Sequence, residues 1–475
     1  MTPDQPDQAL VKKLEKHQQS HLIHYLSTLN SLDKKSLLRQ IEALEWTRLD
    51  HWIDICTQEE SHLEIPSEIH PAPYYPYNPT NDTQAKHYAQ ARQCGEELIH
   101  SGKVGAFVVA GGQGTRLGFE GPKGAFPASP IKKKSLFQLF CESLAEVNRR
   151  YQTRCPFYIM TSPLNHDQTI DFFEQGLFFG LHPDDVFIFP QGTLPNFSFA
   201  GKILMSDPSH IACSPDGHGG SLKALYQSGA VTDMANRGVE LVSYWQVDNP
   251  LINPIDPLFI GLHHLDQAEM SSKALKKTGP LEKVGNFCQV NDKVCVIEYS
   301  DLPDQLAQQT RPDGSLLFAL GSIGIHLINR SFIESLNADG FSLPIHRAVK
   351  KIPHINEHGQ FIDPSEPNGV KLETFVFDAL PLAQKSIILE TSRAEEFAPI
   401  KNAQGVDSAE SSRIMMIERA AAWLKTVGIK VPHTTDGKID CILEIAPSYA
   451  LSAADLQQKT QDIPTIQAGQ ELYLE

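Results

Sequence analysis

The sequence predicts an α/β protein with a mixed sheet covered by helices, a helical N-terminal region and a small C-terminal α+β domain. From about Asp82 onward, short apolar runs alternate with helical patterns, which is typical of a mostly parallel sheet between helices. Between Ala268 and Leu336 the chain becomes strand-rich, and the pairs Asn291-Asp292 and Asp313-Gly314 favour hairpin turns. We therefore expect antiparallel strands to extend the parallel sheet.

The length of 475 residues predicts two or three domains, because most domains are much shorter. We assign 1–100 to a helical N-terminal region with a linker, 101–390 to a central α/β domain and 391–475 to a C-terminal lid or end domain. Apolar residues recur at three- and four-residue steps from Gln8 to about Glu59, as in helices. Repeated prolines from Pro66 to Pro79 break this periodicity and indicate the linker.

Local patterns locate the elements of the central and C-terminal domains. Phe107 to Val109 ends a strand that we expect to be buried on both faces, because its apolar run lacks the polar alternation of an exposed strand. Further strands are predicted at 157–161, 186–189, 241–247, 294–299, 316–328, 372–379, 386–390 and 441–445. Helices are predicted at 82–101, 135–149, 167–174, 222–237 and 411–426.

The charge balance argues against nucleic acid as a partner. Lysine and arginine total 41 against 57 acidic residues, a net charge of −16, whereas sequence-independent binding of nucleic acid draws mainly on a basic surface. The eight cysteines form no CxxC pair, which is typical of reduced cytosolic cysteines. The sequence has no basic segment followed by an apolar stretch at its N-terminus and no apolar run of ~18 residues. We expect a cytoplasmic protein without membrane contact, and the sequence leaves open whether it is a monomer or a weak homodimer.

A glycine-rich loop between Phe107 and Phe126 is the first candidate site. Its glycines allow the backbone to approach a ligand closely and to offer N–H groups to phosphate oxygens. The spacing matches neither GxGxxG, since Leu117 stands where the third glycine would be, nor GxxxxGK[ST]. Arg116 and Lys123 would bring positive charge to a phosphate, as nucleotidyl transfer requires. The alternative is a glycine-rich turn without a ligand.

Ser214 to Gly220 forms a second glycine-rich loop, around His218. Glycines on both sides allow a flat ring or a sugar to lie against the backbone, and the imidazole offers a donor or an acceptor. We interpret His218 as a binding residue and not as a general base, because a phosphate oxygen that attacks phosphorus has no proton to lose. A plain turn is the alternative, since glycine and aspartate are common in turns.

Gln191 and Asp248 follow predicted strands, at the carboxyl ends where α/β sheets bind ligands. The Asp248 carboxylate suits Mg²⁺ or a ribose, because magnesium often takes one or two protein carboxylates and substrate oxygens. The alternative is an Asx turn before the nearby proline. His17, His21 and His24 have no cysteine or carboxylate at a matching spacing, so we interpret them as solvated helix residues and not as metal ligands.

Taken in order, these motifs resemble those of the UDP-N-acetylhexosamine pyrophosphorylases, within the wider UDP-glucose/UDP-sugar pyrophosphorylase family. The likeness covers nearly the whole chain, and the number and order of the motifs make it specific. The motifs are AGGQGTRLG (110–118), PKG (122–124), YIMTS (158–162), PQGTLP (190–195), PDGHGG (215–220), VDN (247–249), VIEYS (296–300), KKIP (350–353), KLETFVFD (371–378), EFAPIKN (396–402) and LEIAPSYA (443–450).

The resemblance implies a GT-A-like, Rossmann-type nucleotidyltransferase core that converts UTP and a sugar 1-phosphate to UDP-sugar and pyrophosphate with Mg²⁺. It implies three groups of site residues by motif position. The nucleotide would be held by Ala110, Gly111, Gly112, Gln191, Gly217, Asp248 and Lys371, and Asp248 would also face the metal. The catalytic phosphate contacts would come from Arg116, Lys123 and Lys401, and the sugar contacts from His218, Glu298 and Tyr299.

Two departures from the family pattern leave the sugar open between N-acetylglucosamine and glucose. Position 218 is histidine, as in the UDP-glucose enzymes, where the N-acetylhexosamine enzymes carry asparagine. Ser322 and Ile325 stand where the N-acetylhexosamine enzymes usually show asparagines near the sugar. Such changes matter because an unpaired polar group in a sugar site is costly.

Two functions of other classes stay open as alternatives. A nucleotide-sugar-binding protein without turnover would keep the glycine loops, but the presence of Arg116, Lys123, Asp248 and Lys401 together argues against it. A glycosyltransferase that uses a UDP-sugar would share the fold, but we would expect a DxD metal motif where this chain has VDNP.

Overall fold

The computed structural model describes residues 7–58 and 68–475, which divide into two units. Unit 1 takes its described residues from Met1–Glu64, Gly192–Gly220 and Leu343–Val376. Unit 2 takes them from Ile65–Gln191, Ser221–Ser342 and Phe377–Glu475. Each unit thus combines segments that are distant in sequence, whereas the predicted domains 1–100, 101–390 and 391–475 follow the chain in order. Those domain boundaries stay a prediction.

Most helices lie where the sequence patterns place them. The helices of the described residues are α1 (Gln8–Lys16), α2 (His21–Thr28), α3 (Ser31–Glu42), α4 (Trp46–Thr57), α5 (Asp82–His100), α6 (Leu136–Tyr151), α7 (His166–Gln175), α8 (Gly220–Gln227), α9 (Ala230–Arg237), α10 (Pro257–Leu265), α11 (Asp304–Ala307), α12 (Arg330–Ala338), α13 (Arg393–Glu396), α14 (Ala409–Thr426) and α15 (Ala453–Leu456). Among the described helices, none combines the length and apolarity needed to cross a membrane.

The strands are mostly short outside the central sheet. They are β1 (His70–Pro71), β2 (Val104–Val109), β3 (Phe157–Thr161), β4 (Val186–Pro190), β5 (Thr193–Pro195), β6 (Phe197–Ser198), β7 (Met205–Asp207), β8 (His210–Ile211), β9 (Cys213–Pro215), β10 (Leu241–Gln246), β11 (Met270–Lys276), β12 (Asn286–Val290), β13 (Lys293–Ile297), β14 (Leu320–Asn329), β15 (His346–Lys350), β16 (His354–Ile355), β17 (Phe361–Ile362), β18 (Gly369–Glu373), β19 (Ser386–Glu390), β20 (Cys441–Ile445) and β21 (Gln470–Leu474).

Unit 2 is organised by a mixed sheet, which confirms the predicted α/β class. Its main path runs β1-β12-β14-β10-β2-β3-β4, and β11, β13 and β19 join beside it. The strands β10, β2, β3 and β4 are parallel, while β14 is antiparallel to both β10 and β11. Apolar side chains of β2, β3 and β10 share one hydrophobic core with those of α5, α6 and α10. Burial on both faces explains why these strands have nearly continuous apolar sequences.

Two smaller cores stabilise the ends of the chain. In unit 1, helices α1 to α4 pack on short strands through Leu26, Trp52, Phe197 and other apolar residues. In unit 2, α14 packs on the parallel pair β20–β21, where Leu424 and Leu443 are buried. The N-terminal helices therefore have their own core, as the amphipathic patterns require.

The interpretation of the N-terminal histidines as solvated is wrong for two of them. His17 is only 7% exposed, and its Nδ1 atom lies 2.5 Å from a carboxylate oxygen of Asp50. The Nε2 atom of His21 lies 2.8 Å from the carbonyl oxygen of Ile203, within the same unit. Each ring thus joins a helix to its surroundings through one nitrogen, whereas the buried Nδ1 of His21 has no hydrogen-bond partner among the described residues.

Two predicted elements end earlier than expected. The predicted helix 222–237 is interrupted by Gly229, whose φ of +85° favours glycine, so that α8 and α9 are separate. The predicted strand 372–379 ends at Glu373 and is followed by a 3₁₀ helix at Val376–Leu382. At this point the N–H of Thr374 donates to the carbonyl of Asp216 at 2.8 Å, which takes the chain out of the β18 ladder.

Helices α5 and α10 approach so closely that two glycines have no room for a side chain. A Cβ atom added at Gly95 would lie 1.8 Å from the carbonyl oxygen of Pro257, and one at Gly261 would lie 1.6 Å from that of Ala91. These neighbours are backbone atoms, so the helices would have to move apart to accept even an alanine.

We expect Gly261→Ala to lower the free energy of unfolding by about 2 kcal/mol, because an overpacking cost of about 3 kcal/mol outweighs the roughly 1 kcal/mol that alanine gains in helix propensity. Chemical denaturation of both proteins measures the difference. Gly279→Ala is the matched control, since a Cβ atom there would meet nothing within 4 Å. Equal stability of the two variants would contradict the close contact.

Candidate active site

The carboxyl ends of four parallel strands meet at one edge of the sheet in unit 2. The strands lie in the order β10, β2, β3, β4. Just beyond them, the N–H of Ala110 donates to the carbonyl of Met160 at 2.7 Å, and the N–H of Gln191 donates to that of Thr161 at 2.8 Å. Asp248 follows β10 at the same edge. The structure therefore brings Ala110, Gln191 and Asp248 to one edge of the sheet, where α/β proteins bind ligands.

Gly111 lies where a side chain would collide with Gln191. A Cβ atom added at Gly111 would lie 2.5 Å from Oε1 of Gln191 and 3.4 Å from Cβ of Ser162. The amide of Gln191, a residue only 8% exposed, therefore lies directly over the Gly111 backbone. Two of the residues predicted to bind the nucleotide are thus neighbours, and their contact requires glycine at 111.

The glycine loop turns back so that Lys123 returns to Gly112. The N–H of Gly114 donates to the carbonyl of Gly121 at 2.9 Å, and the N–H of Lys123 donates to that of Gly112 at 3.0 Å. A Cβ atom added at Gly112 would lie 3.8 Å from Cε of Lys123, so the lysine side chain extends along the start of the loop. This geometry places the Lys123 ammonium beside the backbone that follows β2.

Arg116 provides a second positive charge on the same loop. It lies in a short 3₁₀ helix, Thr115–Leu117, and is exposed. Among the described residues, no hydrogen bond or ion pair engages the side chain of Arg116 or Lys123. Both cations are therefore available to an anionic ligand, such as a phosphate.

Asn165 is a residue of this site that the sequence analysis missed. Its side-chain N–H groups donate to the carbonyls of Ala110 at 3.1 Å and Gly112 at 3.2 Å. Its Oδ1 accepts from the backbone N–H and the hydroxyl of Ser162, at 2.8 and 3.0 Å. Because Asn165 is 1% exposed, this one amide fixes the start of the glycine loop against the end of β3. No local signal reveals this role, because Asn165 makes no side-chain capping hydrogen bond to α7 although it stands directly before that helix.

Asn249 joins Asp248 to the segment that leads to Lys401. The side-chain amide of Asn249, 5% exposed, donates to the carbonyl of Glu396 at 2.6 Å and accepts from the N–H of Ala398 at 3.1 Å. The N–H of Ile400 donates to the carbonyl of Asp248 at 2.8 Å. The residue before Lys401 is therefore hydrogen-bonded to Asp248, although Lys401 and Asp248 lie 153 residues apart in sequence.

Two residues near the start of helix α14 hold the segments that carry Lys401 and Lys123. The Ser412 hydroxyl donates to the carbonyl of Ala398 at 2.8 Å, next to the segment of Lys401. The Arg413 guanidinium donates to the carbonyls of Pro127 and Ala128, at 2.6 and 3.1 Å, in the chain that follows Lys123. The C-terminal part of the chain thus stabilises the candidate site, a role the sequence analysis described only as a lid or end domain.

Glu298 and Tyr299 lie just after β13, which ends at Ile297 and not at Tyr299 as predicted. A Cβ atom added at Gly285 would lie 3.5 Å from Oε1 of Glu298 and 3.8 Å from Cβ of Ser322, so both residues lie near Gly285. Tyr299 is 47% exposed. The structure thus brings Glu298, a predicted sugar contact, and Ser322, a departure from the family pattern, to the same glycine.

Ile325 is placed differently from Ser322, although both were singled out as departures from the family pattern. Ile325 is 2% exposed and belongs to the main hydrophobic core of unit 2. Its side chain therefore contributes to packing, whereas Ser322 is partly exposed and lies near Gly285.

In unit 1, the second glycine loop is built around Asp216. A Cβ atom at Gly192 would lie 2.8 Å from the Asp216 carboxylate, and one at Gly220 would lie 2.1 Å from it. Gly217 has a φ of +84° and runs so close to the carbonyl of Thr374 that a Cβ atom would lie 2.3 Å from it. Asp216 therefore holds the backbones of both glycine-containing motifs of unit 1, which the sequence analysis did not foresee.

His218 lies half-buried against an aromatic ring in this loop. Its ring stacks on Phe375 with a centroid distance of 5.3 Å, and Phe375 also stacks on His346 at 4.5 Å. The N–H of Val376 donates to Nδ1 of His218 at 3.1 Å. Burial, helped by the nearby His346, lowers the pKa of His218 to about 4. The neutral ring therefore accepts at Nδ1 and offers an N–H donor at Nε2, which suits binding and not proton transfer at neutral pH.

Lys371 lies on β18, opposite Ala348 of β15, and is partly exposed. The same strand leads into Thr374, whose hydroxyl and N–H both donate to the carbonyl of Asp216 at 2.8 Å. Lys371 and the loop of Gly217 and His218 therefore belong to one connected part of unit 1. Their predicted roles toward a nucleotide stay predictions.

The residues at the sheet edge are compatible with Mg²⁺ bound mainly through substrate. The Asp248 carboxylate has no hydrogen-bond or ion-pair partner within residues 7–58 and 68–475. The same residues contain no group of three or more histidine, cysteine or acidic side chains that could hold a metal ion by themselves. One free carboxylate is what Mg²⁺ commonly takes from a protein when phosphates complete its coordination.

We expect the His218 imidazole to titrate near pH 4, because its folded-state pKa is about 4 against an ordinary value of 6.5. Its neutral form therefore favours the folded state fully above pH 6.5, and this contribution is lost as the pH falls towards 4. NMR of ¹⁵N-labelled protein measures the titration, and His218→Asn assigns the signal by removing it. A His218 signal that titrates near pH 6.5 would contradict the environment of the stacked and hydrogen-bonded ring.

The chain is similar to known proteins over most of its length. The family model described as UTP–glucose-1-phosphate uridylyltransferase matches residues 66–475. The human UDP-N-acetylhexosamine pyrophosphorylase-like protein 1 is 34% identical over 95% of this chain and 94% of its own length. The UDP-N-acetylglucosamine pyrophosphorylase of Saccharomyces cerevisiae is 34% identical over 93% of this chain and 94% of its own.

Solved structures show the same fold. The Trypanosoma brucei UDP-N-acetylglucosamine pyrophosphorylase, solved with an inhibitor, has a TM-score of 0.82 and 25% identity, covering 100% of this chain and 98% of its own. A point mutant of the Leishmania major UDP-glucose pyrophosphorylase has a TM-score of 0.62 and 13% identity, covering 90% and 87%, a likeness of fold alone. These matches confirm the fold and the resemblance inferred from the motifs. The chain belongs to the UTP–glucose-1-phosphate uridylyltransferase family.

Proposed function

We propose that this protein is a uridylyltransferase that converts UTP and N-acetylglucosamine 1-phosphate to UDP-N-acetylglucosamine and pyrophosphate. The observation that carries the proposal is the match to relatives named UDP-N-acetylglucosamine pyrophosphorylase over nine-tenths or more of the chain. The relatives named for glucose are much less similar, for example at 13% identity. Similarity in sequence therefore favours N-acetylglucosamine over glucose, the other sugar that the sequence left open.

The chemistry is a substitution at the α-phosphorus of UTP. An oxygen of the sugar phosphate forms a bond to that phosphorus, and the bond from it to the bridging oxygen of the leaving pyrophosphate breaks. No proton has to be removed from the attacking oxygen, so the protein's task is to position the phosphates and to stabilise their charge. The free cations of Arg116 and Lys123 on the glycine loop support this task, and Lys401 adds a third.

The positions of the residues in unit 2 suggest which part of the substrates each would contact. The backbone at Ala110 to Gly112, under the amide of Gln191, offers N–H groups and space for the uridine and its phosphates. Asp248 would hold Mg²⁺, which neutralises phosphate charge when bound. Glu298, which lies beside Gly285 together with Ser322, would contact the sugar.

The proposal also assigns roles to four residues of unit 1. Gly217 and Lys371 would contact the nucleotide, and the Nε2 donor of His218 would contact the sugar. Phe375 keeps the His218 ring in place by stacking.

The alternatives are less well supported. A binding protein without turnover has no use for three cations and a free carboxylate around the phosphates, and the relatives are named as pyrophosphorylases or diphosphorylases. A glycosyltransferase would need a metal motif that VDN does not provide. A cytoplasmic location, the absence of nucleic-acid and membrane partners, and a monomer or weak homodimer remain predictions from the sequence.

We expect the purified protein to release pyrophosphate from UTP in the presence of Mg²⁺ and N-acetylglucosamine 1-phosphate, and to do so more slowly with glucose 1-phosphate. A coupled pyrophosphate assay measures both reactions side by side, with galactose 1-phosphate as a third acceptor. Removal of Mg²⁺ with EDTA should stop turnover, because the phosphate charge is then not neutralised. Absence of turnover with all three sugar phosphates would refute the proposal, and a preference for glucose 1-phosphate would correct the sugar.

We expect Lys123→Gln to lower kcat by roughly 100-fold, which corresponds to the loss of a charge-assisted contact of about 2.7 kcal/mol in the transition state. The melting temperature should change little, since the Lys123 side chain has no partner within the described residues. Lys12→Gln, at an exposed position of α1, is the control and should keep full activity. Unchanged kcat in Lys123→Gln would remove this lysine from the mechanism.

A further inference from the structure

The backbone next to Lys123 lies against the ring of Phe137. A Cβ atom added at Gly124 would lie 2.1, 2.2 and 2.5 Å from three ring atoms of Phe137, so the ring directly contacts the Gly124 backbone. Gly124 is buried, and Phe137 is 0% exposed. No side chain therefore separates the turn that carries Lys123 from the first turn of α6.

Hydrogen bonds hold the Lys123 backbone on two sides. Its N–H donates to the carbonyl of Gly112 at 3.0 Å, and its carbonyl accepts from the N–H of Phe126 at 3.0 Å. The carbonyl of Phe126 in turn accepts from the N–H of Leu136, the residue before Phe137, at 3.3 Å. The turn of Lys123 thus lies between the glycine loop and the start of α6, and the Phe137 ring packs between this turn and α6.

The Phe137 ring is itself fixed by other aromatic rings. Its centroid lies 5.1 Å from that of Phe173 and 6.2 Å from that of Phe172, both on α7. The ring centroid of Phe179 lies 5.3 Å from that of Phe172 and 5.7 Å from that of Phe173, and the ring centroid of Phe178 lies 6.3 Å from that of Phe173. Aromatic rings attract one another at these distances. We refer to these five residues as the phenylalanine cluster.

Two rings of the phenylalanine cluster come from a left-handed turn. Leu177, Phe178 and Phe179 have φ values of +48°, +53° and +49°, and Gly180 follows with +89°. Residues other than glycine seldom adopt this conformation, and three in succession are unfavourable. The turn folds the Phe179 ring over Gly176, where an added Cβ atom would lie 2.3 Å from it. Because an unfavourable backbone persists only where its surroundings favour it, we infer that ring packing in the cluster stabilises this turn.

Phe332 offers a comparison within unit 2. It is also buried, at 4% exposed, and lies on α12. Helix α12 begins directly after Asn329, which pairs with Leu241 at the start of β10, whereas the candidate site lies beyond the other end of β10. A smaller side chain at position 332 therefore loosens packing far from Lys123, whereas one at position 137 leaves a gap beside Gly124.

We propose that Phe137 is a positioning residue for Lys123. Its ring, held by the phenylalanine cluster, keeps the Gly124 backbone in place and thereby keeps the Lys123 ammonium where the transition state needs positive charge. A smaller side chain leaves room for the turn to move towards α6, and a displacement of about 1 Å can lower a rate by ~100-fold. The effect on catalysis rests on the proposed uridylyltransferase function, whereas the contact between Phe137 and Gly124 does not.

A double-mutant cycle with Phe137→Leu and Lys123→Gln tests this role on the full chain. The pyrophosphate assay measures kcat at saturating UTP, Mg²⁺ and N-acetylglucosamine 1-phosphate. We expect Phe137→Leu alone to lower kcat by about tenfold, because a misplaced charge stabilises the transition state less. In the Lys123→Gln background it should lower kcat by less than about twofold, since the charge that it misplaces is already absent.

Phe332→Leu is the matched control, with the same change of side chain at a buried position of unit 2. Chemical denaturation should show that both leucine variants are less stable than the wild type, whereas kcat should fall only in Phe137→Leu. If Phe137→Leu does not fold, Phe137→Met takes its place in the cycle, because the flexible methionine side chain fills more of the gap but supports the turn less rigidly than the ring.

Three results would overturn the positioning role: an unchanged kcat in Phe137→Leu, an equal loss of kcat in Phe332→Leu, or a tenfold loss that persists in the Lys123→Gln background. Each of them leaves the proposed function intact, because the wild type still turns over. A wild type without turnover refutes the proposed function instead, and the cycle is then measured as the Kd for UTP by isothermal titration calorimetry. There, losses of affinity that multiply independently, or no binding of UTP, would overturn the positioning role as well.

Discussion

The parallel register of β10, β2, β3 and β4 is the constraint on which the candidate active site depends. Parallel strands end at the same edge, so residues that are far apart in sequence leave the sheet side by side. The loop after β2, Gln191 after β4 and Asp248 after β10 meet there for this reason. β2 and β3 are buried along nearly their whole length, so both of their faces pack in the interior of unit 2.

Two buried side-chain amides connect the loops of the candidate site to the ends of the strands. Asn165 joins the glycine loop to the end of β3, and Asn249 joins the end of β10 to the chain before Lys401. The chain at Glu396 is held in turn by the buried ammonium of Lys273. Burial opposes the charged form of Lys273, but the carboxylates of Asp256 and Glu396 outweigh it and raise the pKa of this lysine. Removing one partner of such a buried ion pair is strongly destabilising. The position of Lys401 therefore depends on the buried group of Lys273, Asp256 and Glu396.

The sequence predicts those features that depend on local patterns. The strand at 157–161 has the predicted bounds, and α14 begins within two residues of the predicted start, because apolar periodicity and capping are local signals. The end of β18 was missed because Thr374 leaves its ladder to bind Asp216, which lies 158 residues away in sequence. Asn165 was missed because its partners are backbone carbonyls 53 and 55 residues away, which no short motif reveals.

In the candidate site, too, some features could be predicted from local sequence and others could not. Glycines and charged residues at 110–123 were recognisable because the chemistry of phosphate binding restricts residue type. Ser322 and Ile325 lie three residues apart on β14, and residues at that spacing fall on opposite faces of a regular strand. The family comparison grouped the two positions, whereas this alternation separates them.

Hydrogen–deuterium exchange with and without UTP tests most directly whether UTP binds at the edge of the parallel strands. The account predicts that UTP slows exchange in peptides that cover 110–124 and 247–249, because their N–H groups become hydrogen-bonded or excluded from water. Protection confined to other parts of the chain, with unchanged exchange in both peptides at saturating UTP, would contradict it.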